Sequence, residues 1–144
     1  MNIHNEDQKY NEFVETLKER CPNMFDNLWS SIECDEGWWP LIEVLSASIQ
    51  NHILTTNQQR QALLESNPYN RPIPDEVVPV QIDQIKEKFG SLRYYYTGGD
   101  ECIAGMVNLA EELSARICER CGNPGKIRTG GWLKTLCDEH DTRK

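Results

Sequence analysis

Four residues near the C-terminal end constrain this chain most. Cys118 and Cys121 stand two residues apart, Cys137 and His140 repeat that spacing, and fifteen residues lie between the pairs. Zinc takes four thiolate or imidazole ligands at the corners of a tetrahedron. A Cys-x-x-Cys turn aims two sulfurs at one ion, and Gly122 behind it allows the tight backbone the turn needs. Cys137 and His140 would match if they occupied the first turn of a short helix. Between the pairs, Lys126–Arg128 and Trp132–Leu136 are expected to form a hairpin around Thr129-Gly130-Gly131. Knuckle, hairpin and helical turn together describe a treble-clef zinc finger, with a simpler zinc ribbon as the near alternative.

The metal this predicts is zinc in a closed site. Four protein ligands leave no position for water, and catalytic zinc keeps one open. The ion would stabilise the tail, by about 10 kcal/mol on the scale of isolated fingers, and would not hydrolyse anything. The competing reading is a set of free or redox-active thiols with His140 unrelated.

The rest of the 144 residues suits one body plus this appendage. Hydrophobic residues make up 38% and charged residues 26%, which fits a folded globular chain rather than a disordered one. No apolar run approaches the roughly 20 residues of a membrane span. The polar, acidic start MNIHNEDQKY does not resemble a secretory signal. A reducing cytoplasmic setting is therefore expected, with cysteines on a metal rather than in disulfides. Residues 116–144 carry seven Lys or Arg against four Asp or Glu, whereas residues 1–115 carry eight against nineteen. An acidic body of residues 1–115, with a basic zinc module of 116–144 packed on it, repels phosphate and attracts basic protein surfaces.

Hydrophobic spacing predicts a helix-rich α+β fold. A first helix is expected over 5–20, capped by Asn5, with Tyr10, Phe13, Val14 and Leu17 on one face. Cys21-Pro22 ends it. Met24, Phe25, Leu28, Trp29 and Ile32 are compatible with a short helix over 25–32. A long helix over 40–65 starts at Pro40, and Thr55, Thr56 and Asn57 are candidates to kink or split it. Four prolines make 66–79 an extended connection, laid on the body by Ile73, Val77 and Val78. Ile82, Ile85 and Phe89 fit a short helix ending at Gly90, with a strand through Ile82 as the rival. Leu92, Tyr94 and Tyr96 alternate as in a strand. Asp100 caps a helix running to about Arg116, in which Gly105 would allow a close backbone approach.

Three further groups are candidate binding residues. Asp35, Glu36, Trp38 and Trp39 could hold a basic or sugar-like ligand, although tryptophans this dense also serve simply as anchors. On the strand, Tyr95 must point opposite Tyr94 and Tyr96, offering it with Arg93 to a partner. On the zinc hairpin, Lys126, Arg128, Trp132 and Lys134 would suit phosphate contacts and base stacking. The competing reading is a solvated hairpin with Trp132 packed on the body, and the summed charge favours it. No phosphate loop, Ser-His-Asp order, HExxH or paired-carboxylate signature occurs. Cys34 beside Asp35 and Glu36 is a poor thiolate, Cys102 reads as a small packed or partly exposed side chain, and His52 reads as a packed histidine.

The segments GWWPLI, QIKEKFGSLRYYY and CERCG…GW…LCDEH resemble a group of small phage and prophage proteins. The resemblance implies a protein of the host cytosol that binds and blocks a host factor, such as a component of a defence system. Of site residues it carries over only the four zinc ligands. Three functions are thus open: a non-enzymatic zinc-stabilised protein binding a host protein complex; a nucleic-acid-binding regulator using the zinc hairpin; and a small enzyme with a pocket around Glu33–Trp39 and the tyrosine strand. The first is the expectation.

Overall fold

In the computed structural model, which describes residues 3–142, three helices and two small hairpins follow in chain order. Residues 1–2 and 143–144, including Arg143 and Lys144 of the basic tail, lie outside the described residues. The fold is helix-rich α+β with a C-terminal Cys/His cluster. No helix among the described residues is long and apolar enough to cross a membrane.

Helix α1 spans Ile3–Arg20. It begins ahead of Asn5, which therefore lies within the helix instead of capping it. Its Phe13 and Leu17 are buried. Phe13 stacks on Trp39 with ring centroids 4.7 Å apart, and the Tyr10 hydroxyl accepts the Ile32 N–H at 2.8 Å. Residues 25–32 are not a helix. Phe25 and Ile32 are buried as separate anchors while Trp29 is exposed, so an apolar cluster there has no helical period behind it.

Helix α2, Trp39–Glu65, runs unbroken with Pro40 in its first turn. Its buried stripe is Ile42, Leu45, Ser46, Ile49 and Ile53. The suspected break at Asn57 is instead a tether. The Asn57 amide donates to the Val77 carbonyl at 3.1 Å and its oxygen accepts the Val77 N–H at 2.8 Å. Arg60 adds a bond to the Pro74 carbonyl. The proline-rich connection thus lies on the body through Val77, whereas Ile73 and Val78 are exposed.

Strand β1 covers Gln81–Lys88 and pairs antiparallel with β2, Ser91–Thr97. The helix expected over 82–89 is absent. A register shift between Ile82 and Gln84 inserts Asp83 as a bulge, which puts Ile82 and Ile85 on one face three residues apart. That spacing counterfeits a helical period. Phe89 and Gly90 have φ of 55° and 81° and make the tight turn between the strands. Glu33 forms a parallel bridge to Lys86 on the other edge of β1. Tyr94 is buried, its hydroxyl bonded to Ser46 at 2.8 Å, while Tyr95 is exposed.

Helix α3 spans Glu101–Ser114, and the Asp100 carboxylate accepts the Ile103 N–H at 3.0 Å as its cap. Ile103, Val107, Ala110 and Ser114 face the core. Gly105 faces open space, so no backbone approaches it. His52 is tied to the same cap, with its Nε2 2.8 Å from Asp100 Oδ2. Strands β3, Lys126–Arg128, and β4, Lys134–Leu136, form the second hairpin.

Candidate metal centre

The chain leaves α3 through a bridge between Ile117 and Pro124 and enters the first ligand pair. The Gly122 N–H donates to the Cys118 carbonyl at 2.8 Å, and the Cys118 N–H to the Asn123 carbonyl at 2.7 Å. Gly122 has φ of 82°, a conformation costly for any residue with a Cβ. These bonds close the knuckle. The β3–β4 hairpin then returns the chain, and the Asp141 N–H donates to the Cys137 carbonyl, closing a single helical turn around the second pair. No longer helix follows among the described residues.

One ligand atom from each of Cys118, Cys121, Cys137 and His140 lies within 4.8 Å of all the others. Cys121 Sγ and Cys137 Sγ are 3.8 Å apart. His140 Nδ1 is 3.7 Å from Cys118 Sγ and 3.2 Å from Cys137 Sγ. Ligands about 2.0–2.3 Å from a tetrahedral ion are separated by about 3.4–3.8 Å, so the cluster fits a metal such as zinc. Nδ1 is the ring nitrogen turned inward.

The electrostatics suit a cation. Burial acts to raise the Cys118 thiol, but backbone N–H groups of Cys137, Cys121 and Arg120 outweigh it and lower the pKa to about 6. The Asn123 N–H lowers Cys121, yet the adjoining sulfurs of Cys118 and Cys137 push it up on balance. A divalent ion at the centre relieves that repulsion between thiolates.

The centre is stitched to the body. Glu119, between the first two ligands and only 2% exposed, accepts the Asp35 N–H on Oε2 at 3.0 Å and meets Lys134 Nζ at 3.4 Å. Its carbonyl accepts the Gly37 N–H at 2.7 Å. A Cβ on Gly37 would stand 2.2 Å from the Cys118 carbonyl oxygen. The Trp38 indole N–H donates to the Ile117 carbonyl at 2.8 Å. On the other side, Lys134 pairs with Glu87 at 2.9 Å and the Thr135 hydroxyl donates to the Gly90 carbonyl. Spacing gave no sign of Glu119 or of this clamp.

The candidate binding residues separate. Trp38 is fully buried, which removes it from any contact surface. Asp35 and Glu36 have carboxylates more than half exposed, in long pairs with Arg120 at 4.0 Å and Lys9 at 3.9 Å. With Glu6, Tyr10, Cys34 and Trp39 these residues line a cleft of about 330 Å³. Trp39 Nε1 is buried there without a hydrogen-bond partner. Burial, then the charges of Glu119 and Asp35, push the Cys34 thiol well up, so it stays protonated. Arg93 and Tyr95 lie elsewhere, across β1 from the Glu33 edge.

On the β3–β4 hairpin, Trp132 is 83% exposed and is not packed on the body. Arg128 pairs with Asp138 and Asp141, and Lys134 with Glu87 and Glu119, so both cations are turned inward; Lys126 remains exposed.

No known protein family, curated protein or solved structure matches the chain.

Proposed function

We propose that this is a zinc-stabilised binding protein without catalytic activity, a phage-type accessory protein or inhibitor that occupies a basic surface of a host protein complex. The observation carrying this reading is the suspension of the Asp35–Glu36 turn from the knuckle. Three hydrogen bonds, to Glu119 Oε2, the Glu119 carbonyl and the Ile117 carbonyl, hold residues 35–38 against the metal ligands. Four protein ligands saturate the ion, so its work is to brace. What it braces is an exposed pair of carboxylates on an acidic body.

A partner presenting Lys and Arg would form charge pairs at the rim and cover the Tyr10–Trp39 floor of the cleft. Such surfaces gain on-rate and specificity from complementary charge. The enzyme reading has less support, because Cys34 is held as a thiol and the tyrosine strand does not line the cleft.

The test is affinity capture from host lysate with the zinc-loaded chain and with Asp35→Lys/Glu36→Lys. A saturable protein partner recovered by the first and lost by the second is expected. Equal recovery by both, or none by either, overturns the reading.

A further inference from the structure

We infer that the outer face of the β1–β2 hairpin binds single-stranded nucleic acid, on a surface separate from the acidic turn. Cross-strand partners point to the same side of a sheet. Lys86 opposes Arg93 and Gln84 opposes Tyr95, so these four share one face, while Ile85 and Tyr94 share the buried one. Lys88, two residues beyond Lys86, extends the outer face toward the turn. Its Nζ lies 5.5 Å from the centre of the Phe89 ring, which is 60% exposed.

Among the described residues, no carboxylate lies within 4 Å of the charged ends of Lys86, Lys88 or Arg93. That distinguishes them from Arg128 and Lys134, whose charges are spent inside the molecule. Arg93 Nε is buried without a partner, so the stem is packed in place. Glu33, bridged to Lys86, and Asp83, bulged beside Gln84, are the acids on this face, two against the three cations. The hairpin face therefore keeps a local excess of positive charge although the chain as a whole is at -8. Charges farther than about 10 Å are largely screened at physiological salt.

Cations alone would suit any polyanion. The aromatic rings decide the class. Tyr95 lies on the same face, 43% exposed, and Phe89 stands at its end. A base offers a π-face to such rings, whereas an acidic peptide does not. Lysines two residues apart on a strand repeat at about 7 Å, a separation an extended single strand can match with successive phosphates. The turn carrying Trp132 adjoins, since a Cβ added to Gly90 would lie 3.5 Å from the Leu133 and Lys134 backbone.

The experiment is fluorescence anisotropy with the zinc-loaded full chain and labelled oligonucleotides of about ten nucleotides, DNA and RNA. Saturable binding is expected at about 10–100 µM in 50 mM salt, weakening about 20-fold at 200 mM for three neutralised phosphates. Tyr95→Ala should weaken it about tenfold while Tyr95→Phe should not. Lys86→Gln/Lys88→Gln should flatten the salt dependence, and Asp35→Lys should leave the dependence on Tyr95 intact. Unchanged melting temperatures will show that these variants fold. No saturable binding, indifference to Tyr95→Ala, or equal competition by a poly-glutamate peptide overturns the inference.

Discussion

Glu119 Oε2 accepts the backbone N–H of Asp35 at 3.0 Å, joining the residue after Cys118 to the start of the acidic turn. Eighty-four residues separate them in sequence. The bond makes the shape of the turn depend on the shape of the knuckle, and Lys134 supplies the compensating charge. Glu119→Ala leaves a buried N–H and weakens the hold on Lys134, and should cost about 2–3 kcal/mol in the zinc-loaded protein. Glu119→Gln keeps an acceptor and should cost less. Urea unfolding at saturating zinc measures both.

Gly37 touches the knuckle where no side chain fits, since an added Cβ would meet the Cys118 carbonyl oxygen. Gly37→Ala must push the turn and the knuckle apart. A destabilisation of about 1–3 kcal/mol is expected, the range of overpacked sites, together with weaker zinc retention against a chelator. A competition titration reads the second effect.

The Asp100 carboxylate caps α3 and meets His52. Burial acts to raise its pKa, but the bonds from His52 and the Ile103 N–H win and lower it below its ordinary 3.8. A depressed folded pKa means that the carboxylate stabilises the fold fully above about pH 4, and that this contribution is lost as pH falls through the lowered value. Asp100→Ala should cost about 1 kcal/mol at pH 7, with the difference from the parent chain shrinking below pH 4. Thermal melts across pH check the sign.

Tyr94 and Ser46 form a buried hydroxyl pair between β2 and α2. Burial is the main cause that pushes the Tyr94 phenol well up, so it remains neutral throughout the accessible range. Tyr94→Phe orphans Ser46 and should destabilise by about 1–2 kcal/mol, and adding Ser46→Ala should recover part of the loss. A double-mutant cycle measures the coupling.

The Cys/His cluster, the three helices and β2 were legible because each is local. Cys-x-x-Cys, an amphipathic stripe and an alternation of Leu92, Tyr94 and Tyr96 all act within a few residues of chain. β1 was not, because the bulge at Asp83 resets the alternation and leaves Ile82 and Ile85 three apart. Asn57 looked like a breaker, since its partner Val77 lies 20 residues away. A partner of the basic hairpin is equally remote in sequence. Lys134 finds Glu87 across 47 residues, so a charge that reads as available for phosphate is consumed within the fold. The twin tryptophans divide by one residue, with Trp38 buried under the Ile117 carbonyl and Trp39 stacked on Phe13.

X-ray absorption at the zinc edge tests the saturated centre most directly. Zinc bound at one ion per chain should show three sulfurs near about 2.3 Å and one nitrogen near about 2.0 Å, with no oxygen in the first shell. A bound water in that shell, or a chain that folds to the same melting temperature with no metal at all, would contradict it.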